Sequence, residues 1–267
     1  MREILDITYR TVNGKPLLLD LFMPDGGGAR PLVLWIHGGG WYCGDRKWCM
    51  LKYLADCGYA VASADYRLTG EAPFPACIID CKHALAYLRD NAAKYGIDPK
   101  RVCVAGDSAG GHLAALMGTS VGHPDWEPEG SDCSVQAAID YYGPTCIATV
   151  YKYLYLEKPE LGAADNYVGA LLNVSGYSKR GLGIAAAASP VAYVDGAEPP
   201  FLIIHGDRDE IVPIKQSAIL RDALERSGSF VSMHTVPGAG HGFEDAAADA
   251  AVKKFLEYFL RPGEAAE

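Results

Sequence analysis

The chain has 267 residues, long for one small domain and short for two, since a domain takes roughly 150 residues although α/β folds reach ~250 as one unit. Apolar residues make up 49% and charged residues 21%, which excludes a disordered chain, and the net charge of −9 argues against nucleic acid as a partner. The longest apolar runs, such as Leu32 to Ile36 and Ile184 to Ala188, fall far short of the ~18 residues that a membrane span requires.

The first predicted strands form a hairpin. Asp6 to Val12 alternates, Asn13-Gly14 supplies a turn where positive φ is cheap, and Leu17 to Met23 returns. A glycine-rich loop, Asp25 to Ala29, follows, then β and α segments alternate. Leu32 to Ile36 and Tyr59 to Ala64 read as buried strands, and Cys77 to Tyr95 as one helix stopped by Gly96. Arg101 to Ala105 is a strand that leads into a helix over Ala109 to Val121. Further strands are expected at Val135 to Tyr141, Phe201 to His205 and Phe230 to Val236, and helices at Ile214 to Ser227 and Asp245 to Leu260. Short apolar strands separated by helices predict an α/β fold: a mostly parallel sheet of about eight strands, covered on both faces.

Between Tyr142 and Ser189 the alternation fails. Of 16 tyrosines, seven (Tyr141, Tyr142, Tyr151, Tyr153, Tyr155, Tyr167 and Tyr177) crowd into 37 positions, where about two are expected by chance. We read 1–267 as a single domain with a lid or cap inserted at 145–188. The tyrosines there either pack under an irregular excursion or line a pocket.

The N-terminus, Met1-Arg2-Glu3-Ile4-Leu5-Asp6, carries charge where a signal peptide needs an apolar core, so a cytoplasmic location is expected. The eight cysteines include no C-x-x-C pair and read as reduced, mostly buried residues, with Cys43–Cys49 as the candidate disulfide otherwise. No histidine pair has the spacing and acid partner of a zinc site.

Gly106-Asp107-Ser108-Ala109-Gly110 matches G-x-S-x-G, a weak signal alone. Its setting, directly after a strand and opening a helix, is that of a nucleophile elbow, in which side chains at positions 106 and 110 would clash. Ser108 is therefore the candidate nucleophile. A serine hydroxyl needs a base, and the base an orienting carboxylate. His241, in a glycine-rich loop after a strand, and Asp209, just past another strand, complete the order serine–acid–histidine. Asp207 is the rival acid. Asp209 is preferred because two more residues past the strand give it reach. His83, His112, His123 and His205 read as packing or hydrogen-bonding residues.

His37-Gly-Gly-Gly-Trp41 follows a strand directly, and its glycines leave backbone amides free to meet an oxyanion. Gly39 and Gly40 are the expected donors, with the amide of Ala109. Trp41, Tyr142 and Phe243 are the candidate substrate contacts.

Together with Asp65-Tyr-Arg-Leu68, Phe74-Pro-Ala76, Tyr142-Gly-Pro144, Ser189-Pro190 and Gly238-Ala-Gly-His-Gly-Phe243, these motifs recur in an order that resembles the feruloyl-esterase-like branch of the hormone-sensitive-lipase-related α/β-hydrolases. The resemblance runs from about residue 6 to 260. It implies the α/β-hydrolase fold, Ser108, Asp209 and His241 as the catalytic residues, and hydrolysis of short acyl esters, acylated plant sugars among them, without metal or organic cofactor. Two departures stand out: strands from residue 6 leave no room for the relatives' N-terminal helical cap, and 145–188 follows no pattern of the family. Arylformamidase and small serine peptidase are the alternatives that use the same machinery, and a non-catalytic binding protein is the alternative of another class.

Overall fold

In the computed structural model of the chain, which describes residues 1–157 and 167–260, Asn13 and Gly14 both take positive φ, 49° and 79°, at the tip of an N-terminal hairpin. That conformation matches the right-handed twist of the flanking strands, β1 (Arg2–Val12) and β2 (Lys15–Met23). The chain continues through β3 (Arg30–Ile36), a 3-10 turn at Lys52–Ala55 and β4 (Ala60–Ala64). It goes on to α1 (Ala76–Asp90), α2 (Ala92–Tyr95), β5 (Ile97–Asp107), α3 (Ala109–Thr119) and β6 (Ala137–Tyr141).

One eight-stranded sheet results, in the order β1-β2-β4-β3-β5-β6-β7-β8, closed by β7 (Phe201–Gly206) and β8 (Val231–Val236). The β1–β2 and β2–β4 pairings are antiparallel and every other pairing is parallel, so the expected mostly parallel sheet is present. Both faces are covered, which is why the central strands read as continuous apolar runs. Leu32, Leu34 and Ile36 of β3 pack with α1 and α3 on one side. Val33 and Trp35 pack on the other, with Leu51, Leu54 and the last helix. Each fully buried aliphatic side chain contributes roughly 1.5–3 kcal/mol.

The described part of the segment between β6 and β7 is helical rather than irregular. It carries α4 (Ile147–Lys152), a π-helical turn (Tyr153–Glu157), α5 (Tyr167–Leu172) and α6 (Lys179–Ala187), then a 3-10 turn at Pro190–Tyr193. Residues 158–166 of the tyrosine-rich stretch lie outside the described residues. Tyr151 is fully buried, donating to Gly176 O at 2.6 Å and accepting from Ser178 N at 3.0 Å, so this tyrosine packs its segment together. Among the described residues the remaining helices are α7 (Lys215–Ser227) and α8 (Ala246–Leu260).

The single helix expected over Cys77 to Tyr95 is interrupted at Asn91, whose side chain donates to Tyr87 O at 2.9 Å and competes with the helical ladder. Cys77, Cys81, Cys103 and Cys133 are buried thiols, while Cys43 and Cys49 remain separate and half-buried. No described helix is long and apolar enough to cross a membrane.

Candidate active site

Ser108 sits between the end of β5 and the start of α3 with φ 52°, a conformation that costs a non-glycine residue of order 1–3 kcal/mol and is sustained by its surroundings. Those surroundings leave no room for side chains at the flanking glycines. A Cβ on Gly110 would stand 2.0 Å from Ile36 O, and one on Gly106 would stand 2.4 Å from Gly110 O. The backbone is held by Ser108 N donating to Tyr141 O at 2.8 Å. Trp41 and Tyr142, two more non-glycine residues with positive φ (63° and 43°), border the same cavity.

The structure brings the three widely separated candidates together. His241 Nε2 lies 2.9 Å from Ser108 Oγ, and His241 Nδ1 lies 2.7 Å from Asp209 Oδ2. The ring therefore donates from Nδ1 to the carboxylate and presents Nε2 to the serine hydroxyl. Asp207 points elsewhere: its Oδ1 accepts from Gly238 N at 2.7 Å and so tethers the loop that carries His241.

Asp209 is buried, which alone would raise its pKa. Hydrogen bonds from His205, His241 and the Val212 amide outweigh burial and hold the carboxyl well below the usual range. Oδ1 accepts from Ile211 N at 2.9 Å and Val212 N at 2.8 Å, and Oδ2 lies 3.2 Å from His205 Nε2. His205 is fully buried, with Nδ1 2.6 Å from Ser217 Oγ and Nε2 2.8 Å from Val212 O. Its contact with the acid was not read from the sequence. The only signal was its place four residues before Asp209.

Gly39, Gly40 and Ala109 all border the cavity around Ser108, which measures about 310 Å³. The glycine loop is folded tightly over them, with Gly39 O accepting from both Tyr42 N and Cys43 N at 3.1 Å. Gly39 has φ 103°, and a Cβ there would stand 2.2 Å from Cys43 O. A second tie was also not foreseen: Asp107 Oδ1 accepts from Gly38 N at 2.8 Å, joining the elbow to the glycine loop. Burial raises the Asp107 carboxyl to about 6, against the lowering influence of the Gly38 hydrogen bond and of nearby His241.

Of the candidate substrate contacts, Trp41 and Tyr142 line the cavity. Trp41 is 1% exposed and donates from Nε1 to His112 Nδ1 at 3.2 Å, so it is anchored as well as pocket-facing. Burial lowers the pKa of His112 to about 4, and its Nε2–H bonds Ala188 O at 2.7 Å. Tyr142 meets the His241 ring edge-on at 4.8 Å and backs it. Phe243 departs from expectation: it lies behind Tyr142, ring centroids 5.3 Å apart, in a separate cavity of about 240 Å³ with Met50 and Tyr141. Gly242, with φ 80°, turns the chain after His241. Tyr167, Ile211 and Val212 are cavity-lining residues not singled out from the sequence. Among the described residues no three His, Cys, Asp or Glu side chains are grouped so as to hold a metal ion.

Comparison with known proteins places this arrangement among relatives. Residues 19–224 match the BD-FAE family model, and residues 185–267 match a model described as TAP-like protein. Esterase LipC of Mycobacterium tuberculosis is 36% identical over 80% of this chain and 53% of its own length. The chain thus spans about half the length of the curated relatives it matches. A truncated carbohydrate esterase from gut microbiota superposes with a TM-score of 0.84 at 27% identity, covering 97% of this chain and 96% of that one. A bifunctional GH43-CE protein of Bacteroides eggerthii gives 0.82 at 30% identity, covering 97% of this chain and 38% of that one. With the family model spanning most of the chain and the fold shared across nearly all of it, the chain belongs to the BD-FAE family and has the α/β-hydrolase fold.

Proposed function

We propose that this chain hydrolyses carboxylic esters bearing short acyl groups, through a covalent acyl-enzyme, and that acylated carbohydrates are its substrate class. The observation that carries the reading is the continuous hydrogen-bonded chain Ser108–His241–Asp209, with links of 2.9 and 2.7 Å, at the floor of a cavity bordered by Gly39, Gly40 and Ala109.

In this mechanism Ser108 Oγ attacks the ester carbonyl while His241 Nε2 accepts its proton, and Asp209 stabilises the imidazolium. The amides of Gly39, Gly40 and Ala109 meet the developing oxyanion, each such donor typically contributing about 3 kcal/mol to the transition state. His241 then protonates the departing alcohol, and water, activated by the same imidazole, releases the acid. A volume of about 310 Å³ sits at the low end of the ~300–1,000 Å³ of ligand pockets, which suits a short acyl group. The carbohydrate part of the proposal is supported by the neighbours named as carbohydrate esterases, whose fold is shared over 97% of this chain. The segment 145–188 acts as a lid inserted in one domain spanning 1–267, and Trp41 and Tyr142 contact substrate. A cytoplasmic site of action fits the buried thiols at Cys77, Cys81, Cys103 and Cys133.

A fluorophosphonate probe should label the wild-type chain and leave Ser108→Ala unlabelled. A panel of p-nitrophenyl esters from acetate to octanoate should show highest kcat/KM at the short end. Absence of labelling in the wild type would favour a ligand-binding protein. Preference for N-formyl aromatic amines over esters would favour a formamidase.

A further inference from the structure

Gly39 and Gly40 are fastened at both ends by residues that flank the nucleophile. Before them, Gly38 N donates to Asp107 Oδ1 at 2.8 Å, and Asp107 immediately precedes Ser108. After them, Trp41 Nε1 donates to His112 Nδ1 at 3.2 Å. His112 stands one turn along α3 from Ser108, its own amide donating to Ser108 O at 3.0 Å. The two glycines thus lie between two ties to the same strand–turn–helix unit that aims Ser108 Oγ.

Trp41 is the point where the loop is strained. Its φ of 63° is a conformation that a bulky residue keeps only when its surroundings impose it. Thr69 N holds the main chain by donating to Trp41 O at 2.9 Å, and His112 holds the side chain. Rotation about the Trp41 N–Cα bond turns the Gly40–Trp41 peptide, so a Trp41 released from this conformation changes the aim of the glycine amides before it.

The partners of His112 fix which ring nitrogen carries the proton. An indole N–H can only donate and a carbonyl oxygen can only accept. Nδ1 is therefore the acceptor for Trp41, and Nε2–H donates to Ala188 O at 2.7 Å. Burial lowers the pKa of the ring to about 4, so the lone pair at Nδ1 stays available to the indole at neutral pH. The ring is fully buried and meets Trp41 edge-on, centroids 5.2 Å apart, so it acts through Trp41 rather than on substrate.

We propose that His112 is a positioning residue for ester hydrolysis: through Trp41 it sets the aim of the Gly39 and Gly40 amides at the oxyanion. The inference rests on the esterase reading above and adds to it the residue that keeps the glycine loop aligned with Ser108. An amide turned away from the oxyanion weakens the transition state and leaves ground-state binding nearly unchanged, so the effect falls on kcat.

The test measures kcat and KM on p-nitrophenyl acetate for the wild type, His112→Leu, His112→Asn and Trp41→Phe. His112→Leu leaves the indole without an acceptor. It should lower kcat about tenfold or more, short of the ~10²–10³ of a donor lost outright, with KM within about threefold. His112→Asn puts an amide oxygen where Nδ1 stood and loses the bond to Ala188. Chemical denaturation should therefore show lower stability, while kcat returns to within about threefold of the wild type. Trp41→Phe removes the same bond from the other side and should show a like loss in kcat, with little added in the double variant with His112→Leu. A kcat near the wild-type value in His112→Leu overturns the inference, and Trp41→Phe decides in the same way should His112→Leu not fold. So does a kcat in His112→Asn as low as in His112→Leu, which would make the residue a packing element alone. A loss in His112→Leu confined to KM overturns it as well, since Trp41 would then serve substrate binding. A wild type that hydrolyses no ester and takes no fluorophosphonate label overturns the esterase reading itself.

Discussion

Asp107 carries an ionisable carboxyl that the protein holds at a loss, and replacing it by Asn tests that directly. Burial raises its pKa from 3.8 to about 6. The folded state therefore binds the proton more tightly than the unfolded chain. The contribution of Asp107 to stability is at its best below pH 4 and is lost as pH rises to about 6. The difference of about 2 units, at ~1.36 kcal/mol each, makes the ionised carboxylate cost about 3 kcal/mol at pH 7 and above. Asp107→Asn keeps an oxygen to accept from Gly38 N and carries no charge. Urea unfolding at pH 4, 5, 6 and 8 should show the variant matching the wild type at pH 4 and exceeding it by up to about 3 kcal/mol at pH 8. A pH-independent difference, of either sign, would refute the reasoning.

The same substitution should lower activity. Asp107 and His241 interact electrostatically, so the carboxylate favours the imidazolium that forms when His241 takes the proton from Ser108. Losing it should reduce kcat/KM about tenfold at pH 8 while stability rises, the exchange expected where a strained charge is kept for function. Should kcat/KM and stability rise together, Asp107 would have no electrostatic role in the reaction.

His205→Leu removes the Nε2 donor 3.2 Å from Asp209 Oδ2; because a hydrogen bond to a charged group contributes ~1.5–3 kcal/mol, kcat/KM at neutral pH should fall about tenfold or more. The less neutralised carboxylate should also raise the basicity of His241, moving the acid limb of the pH–rate profile upward, which purely structural damage would not do. Gly39→Ala should lower kcat/KM by ~10²–10³, the effect of losing one oxyanion donor, because its Cβ would be driven into Cys43 O. Fluorophosphonate labelling of the folded variant, slowed in parallel, would be the check. Lys82→Met removes the buried ammonium 2.7 Å from Glu127 Oε1, which keeps the Gly122 amide as a donor, and should cost about 1.5–3 kcal/mol in chemical denaturation, partly recovered in the double variant with Glu127→Gln.

The contrast between Asp209 and His205 shows what kind of information a sequence carries about a site. Asp209, Ser108 and His241 are recognisable because their chemistry demands a residue type at a particular local shape: a strand end, a G-x-S-x-G turn, a glycine loop. A Cβ on Gly106 would stand 2.4 Å from Gly110 O, a local steric requirement written within five residues, whereas Gly110 is required by Ile36 O on the neighbouring strand. The Asn13-Gly14 hairpin was legible for the same reason, since its positive φ values need no distant partner. His205 is set by a different rule. It lies at the end of β7, and its role depends on the loop after it folding back so that Val212 O and Asp209 Oδ2 both face its Nε2. Four residues of separation mean adjacency on a helix but imply nothing in a loop. The helices at 147–187 were missed on similar grounds. At six to nine residues they are too short to be stable alone, so their existence rests on packing against one another and on burial of Ile147, Tyr151, Leu171 and Ala185 in the core. Phe243 lies away from the cavity around Ser108, because Gly242, with φ 80°, turns the chain after His241 and Phe243 borders a separate cavity. Groups that react are constrained by local geometry and read from it; groups that orient them, and the walls that choose the substrate, are constrained by contacts across the fold. That is why Tyr167, Ile211 and Val212, which wall the cavity around Ser108 from separate stretches of chain, had no counterpart in any motif.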